Sequence, residues 1–166
     1  MTGKGSVLSA LINRAVITER HDPNNQEPSF QSSTSVDVEE NITSALQLLV
    51  EMGADIKARD HEGKTPVYWA IVSRTIPALH FLLEMDVEAE VESTGGMRPL
   101  LQAVVGSSMA VVEVILDHNA DIDATDEKGR TALSWAADCG NLAAVQLLLE
   151  RGAKVDVPDE SGRTPL

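Results

Sequence analysis

A chain of 166 residues is sized for about one domain, and its formal net charge of −13 excludes a binder of nucleic acid or anionic membrane held by phosphate contacts. Aromatic residues make up only 3%, so packing falls to alanine and leucine, which suits closely spaced helices. The one cysteine, Cys139, excludes an intramolecular disulfide and points to a reducing compartment, the cytoplasm with the nucleus as alternative.

The N-terminal run from Val7 to Val16 is interrupted by Ser9, Asn13 and Arg14, so it reads as an amphipathic helix over 6–17 and not as a signal peptide. The polar stretch 21–39, rich in Pro, Ser and Asn, reads as a flexible insertion. A tolerated surface loop is the simpler reading. The cluster Ser29, Ser32, Ser33, Thr34 and Ser35 allows a sharper one, a partner-binding or phosphorylation segment. Residues 41–59 read as a second helix and its exit. No apolar run approaches the ~18 residues of a membrane span. The glycosylation sequon Asn41-Ile42-Thr43 is treated as chance, because no secretion signal accompanies it.

From there the chain copies itself every 33 residues. Gly63, Gly96, Gly129 and Gly162 keep that step, as do Val67, Leu100, Leu133 and Leu166. Ala70, Ala103 and Ala136 keep it too, as do the pairs Leu82-Leu83, Ile115-Leu116 and Leu148-Leu149. A unit this short cannot bury its own apolar face and must stack on its neighbours.

The unit 60–92 opens on Thr65-Pro66, a capping threonine followed by a proline pre-set for the first helical turn, and Pro77 falls near the start of the second helix. The unit 93–125 keeps Gly96, Pro99, Leu100 and Ala103, but Arg98 replaces the capping threonine, so its first helix should be weaker by about 1 kcal/mol. Gly106 should loosen the end of that helix, and the unit 126–158 is the most regular. There, Asp126 to Gly129 reads as a turn, and Thr131 caps a helix kept thin by Ala132, Ala136 and Ala137. Gly140-Asn141 ends that helix. A second helix runs from Leu142 to Arg151, with Val145, Leu148 and Leu149 on one face and Gly152 suited to a left-handed close. Residues 159–166 begin a further unit.

These units resemble the ankyrin repeat family. The resemblance rests on Gly63-Lys64-Thr65-Pro66-Val67, Gly129-Arg130-Thr131-Ala132-Leu133 and Gly162-Arg163-Thr164-Pro165-Leu166. It rests also on the closing runs Gly53-Ala54-Asp55-Ile56, Asn119-Ala120-Asp121-Ile122 and Gly152-Ala153-Lys154-Val155. It covers 60–166 firmly and 1–59, a degenerate first repeat, loosely. The implied fold is an all-α solenoid of helix-turn-helix units joined by β-hairpin-like turns. One departure is systematic: the family's usual histidine after Thr-Pro-Leu is Tyr68, Leu101 and Ser134 here. That histidine braces the turns, so the braces here should be weaker or replaced.

No constellation for catalysis, cofactor or metal stands out. His21, His61, His80 and His118 have no partner at ligand spacing, which argues against zinc. Asp121, Asp123 and Asp126 imitate a calcium loop, but Asp126 stands where glycine is required and Ala132 where a bidentate glutamate is required. There is no phosphate-binding glycine loop and no nucleophile elbow. Cys139 reads as a semi-buried thiol at a helix end, blunted by Asp138. Trp69 and Trp135 read as inter-repeat core, with an aromatic hot spot as the alternative.

Residues 60–166 carry 18 acids against 8 bases. Glu84, Asp86, Glu88, Glu90 and Glu92 alternate, and an extended chain would place Asp86 to Glu92 on one side. That stripe, continued by Asp121, Asp123 and Glu127, is either a solvated edge or a docking rail for a Lys/Arg-rich segment.

The resemblance implies a non-catalytic protein-interaction module that binds through turn tips and the concave face of the first helices. Carried onto this chain, the positions are Arg59, His61, Glu62, Lys64, Val72 and Ser73, then Glu92, Thr94, Met97 and Val105. The last complete unit adds Thr125, Glu127, Lys128, Arg130, Asp138 and Cys139. The expected partner is another protein, with the acidic excess either supplying solubility alone or selecting a basic segment, and the expected state is a monomer. The unfinished unit at Leu166 favours an alternative: a regulatory piece of a larger enzyme or signalling protein, with its catalytic domain outside this chain.

Overall fold

The computed structural model describes residues 35–85, 97–106 and 108–165. They form seven helices: α1 (Ser35–Glu51), α2 (Pro66–Ser73), α3 (Ile76–Glu84), α4 (Pro99–Val105), α5 (Met109–Asp117), α6 (Ala132–Asp138) and α7 (Leu142–Glu150). Helices pair as α2 with α3, α4 with α5, and α6 with α7. The first helices stack in one row, α2 on α4 on α6, and the second helices stack in another, α1 on α3 on α5 on α7. This two-row array is the all-α solenoid expected from the repeat. The helix expected over 6–17 lies outside the described residues.

The 33-residue step becomes columns of buried side chains. Val67, Leu100 and Leu133 are each at most 2% exposed, and so are Ala70, Ala103 and Ala136. In the second row Leu82, Ile115 and Leu148 are buried at equivalent places. All belong to one continuous apolar core that also takes in Leu46, Leu79, Val111 and Val112. The alanine column is what lets the paired helices approach: a larger side chain there would overpack the seam.

Local chemistry sets the helix ends. Thr65 and Thr131 accept from the backbone N–H groups of Tyr68 and Ser134, capping α2 and α6. Arg98 holds the same place before α4 and supplies no side-chain cap, as the sequence foretold. Asn141 caps α7 by accepting from Ala144 N. Gly152 takes the left-handed conformation (φ 88°), and Asn119 takes it at the equivalent place (φ 60°), a role asparagine fills better than other non-glycine residues. The helix α1 starts at Ser35, ahead of the expected Asn41 and inside the polar stretch 21–39. Its last turns place Ile42 and Leu46 in the core, which anchors the element against α3.

At the α7 end of the array, Leu142, Leu149 and Val155 are exposed. Only Leu148 and Ala144 of that helix are fully buried.

Candidate functional site

The turns between units are built around aspartates. Asp126 Oδ1 accepts from the backbone N–H groups of Lys128 and Arg130, each at 2.9 Å. Its Oδ2 accepts from Arg130 Nε at 3.0 Å and from the Trp135 indole N–H at 3.1 Å. The backbone closes the same loop: Asp126 N–H donates to Arg130 O, Gly129 N–H donates to Asp126 O, and Thr125 bridges Thr131 in antiparallel fashion. Gly129 has φ 74°, the conformation this tight return requires.

Asp60 repeats the device, accepting from Glu62 N, Lys64 N and the Trp69 indole, the last at 2.9 Å. Asp159 accepts from Ser161 N, Arg163 N and Arg163 Nε. Successive turns also touch, through Glu160 N–H donating to Lys128 O at 3.0 Å.

Electrostatics follow from these bonds. Burial would raise the Asp60 and Asp126 carboxyls, but the converging N–H donors outweigh it and hold both below the ordinary value of 3.8. The backbone N–H of Arg163 leads the same lowering at Asp159. The Arg130 guanidinium pairs with Asp126 at 2.8 Å and lies over the Trp135 ring, 3.7 Å from its centroid. Lys64 pairs with Glu62 at 2.5 Å and lies near both the Tyr68 and Trp69 rings. The Glu62 contact raises the Lys64 amine above its ordinary value.

These contacts sort the positions assigned to recognition. Arg59 donates to Gly63 O at 3.1 Å, and the Ser73 hydroxyl donates to Trp69 O. Lys64, Arg130 and Thr125 are engaged in building the turns, and Met97 packs against the core. His61, Glu62, Glu127, Lys128, Asp138 and Cys139 are exposed at the surface. Cys139 is thus more open than the semi-buried thiol expected, because the first helix ends before it and turns its side chain outward. Val72 and Val105, 51% and 43% exposed, line a groove between α2 and α4 together with Ile71, Arg74, Gln102 and Ser108. Arg74 spans this groove, donating to Gly106 O at 3.1 Å. A second groove runs between Ser134, Asp138 and Arg163. Glu92 and Thr94 lie outside the described residues, as do Asp86, Glu88 and Glu90 of the acidic alternation.

The family model for ankyrin repeats (3 copies) matches residues 34–126 and 76–159. The chain is an ankyrin-repeat protein. Ankyrin repeats are generally protein–protein interaction modules and are typically non-catalytic. No curated protein matches the chain. Among the described residues, no helix is long and apolar enough to cross a membrane.

In this ankyrin protein an aspartate–tryptophan link braces the turns at Asp60 and Asp126. Trp69 and Trp135 are half-buried, pack against the core and anchor the turn by their N–H, so they combine the core role expected of them with a second one. The signal was present in the sequence: Asp60 with Trp69 and Asp126 with Trp135 share one spacing, while the intervening ankyrin unit has Ser93 and Gln102 at those places. Spacing also missed a histidine pair. His80 on α3 and His118 after α5 come together across two ankyrin units, with ring centroids 5.2 Å apart.

Proposed function

We propose that this ankyrin array is a recognition scaffold that binds a partner protein through its turn tips and the groove between the first helices. The observation that carries the reading is the division of labour in the turns. Asp60 and Asp126 tie down the backbone from within, while His61, Glu62, Glu127 and Lys128 stand outside it. A surface held in this way loses little conformational entropy on binding, so modest contacts suffice. Val72 and Val105 offer an apolar seat beside these polar tips. The excess of 18 acids over 8 bases in 60–166 supports a partner with a basic segment and opposes nucleic acid. The lone cysteine supports a cytoplasmic or nuclear setting.

Affinity capture from native lysate tests the proposal, comparing wild type with a Val72→Glu, Val105→Glu, Lys128→Glu variant. A protein retained by the first and lost by the second, with capture falling steeply as salt rises, supports it. Equal capture by both removes this surface from the reading.

A further inference from the structure

We propose that His80, Glu84 and His118 form a binding site for a zinc-class transition-metal ion that staples two neighbouring repeats. Each of the three offers one donor atom, and these atoms all lie within 4.8 Å of one another. His80 and Glu84 stand one helical turn apart on α3, so they share a face. His118 is the residue that ends α5, the helix packed beside α3 in the second row. The site is therefore assembled only when the two units stack.

The His118 ring is held in place by the backbone of its own helix. Its Nδ1 lies 2.9 Å from Val114 O, and a carbonyl can only accept, so Nδ1 carries the proton. In the neutral ring Nε2 then keeps its lone pair for a metal, with the ring oriented by a carbonyl as in many metal-bound histidines. Both rings are half-buried, while Glu84 is exposed. A tetrahedral ion with ~2.0–2.1 Å bonds needs donor atoms about 3.4 Å apart. Closing that difference asks the Glu84 and His80 side chains to rotate about their own bonds. Two imidazoles and one carboxylate suit zinc, nickel, copper or cobalt; calcium and magnesium want oxygen ligands in larger number. Three protein ligands leave a fourth position for water or for a ligand from outside.

The position gives such an ion a structural consequence. It joins the unit 60–92 to the unit 93–125, whose first helix has the uncapped Arg98 start and which lacks the Asp–Trp pairing of its neighbours. An ion bound only by the stacked form stabilises that form.

The test uses the full chain freed of metal by chelation, titrated with Zn(II) and separately with Co(II). Calorimetry should show one saturable equivalent of zinc, with the thermal midpoint rising as zinc is added, and cobalt should give the visible bands of a four-coordinate ion. Glu84→Gln, an exposed change that leaves the fold intact, should weaken binding about tenfold or more, as should His118→Gln. Calcium should not compete. Absence of a saturable equivalent overturns the proposal. So does weak binding of several ions that Glu84→Gln, His80→Gln and His118→Gln together leave unchanged, since that is the behaviour of an acidic surface alone.

Discussion

The indole N–H of Trp135 donates to Asp126 Oδ2 at 3.1 Å, tying the first helix of a repeat to the turn that precedes it. The same carboxylate holds the backbone N–H groups of Lys128 and Arg130, so one side chain fixes the turn, the helix entry and the ring together. A turn built this way is stiff before any partner arrives, and its stiffness is open to measurement.

Asp126→Ala leaves several N–H donors without their acceptor and should cost about 2–4 kcal/mol in urea unfolding. Trp135→Phe keeps an aromatic ring but loses the indole N–H and part of the packed surface, and should cost about 1.5–3 kcal/mol. The double variant should cost less than the two single losses added, because they share one bond. Strict additivity would show that the bond contributes nothing.

Acid should unfold the array through these aspartates. Asp60, Asp126 and Asp159 are all lowered in the folded chain from an ordinary value of 3.8. Below that value the unfolded chain takes up protons that the folded chain still refuses, so protonation favours unfolding. Their contribution is therefore complete above about pH 4 and disappears as pH falls through the lower folded-state values. Urea midpoints measured across this window should drop with pH, and Asp126→Asn should flatten part of the slope.

Leu148 is fully buried while its neighbour Leu149 is 39% exposed. Leu148→Ala should cost about 2–5 kcal/mol and Leu149→Ala less than about 1 kcal/mol. Equal losses, read by chemical denaturation, would overturn the register of α7.

Arg98→Thr should restore to α4 the cap that Thr65 and Thr131 give its neighbours, raising stability by about 1 kcal/mol. No gain in the thermal or urea midpoint would mean that this helix start is set by tertiary contacts alone.

Much of this architecture was legible in advance, for local reasons. Thr65 and Thr131 announce helix starts because a short polar side chain reaches the orphan N–H groups of the first turn, whereas Asn141, read only as the end of one helix, also caps the next. The start of α1 was not legible, since Ser35 to Glu40 is polar enough to read as loop and contributes little periodicity of its own. The recognition positions were only half legible. Family position predicts which residues sit near a turn, but not that Arg130 stacks on Trp135 while Lys128 stays exposed.

The sequence by itself determined the repeat, its register and the columns of Val67, Leu100 and Leu133 that fill the core, because a fixed 33-residue step turns linear spacing into stacked equivalence. Only the tertiary structure decided which donors Asp126 gathers and that His80 meets His118. Those meetings depend on how closely two helices pack and how each side chain rotates, and neither quantity is carried by spacing along the chain.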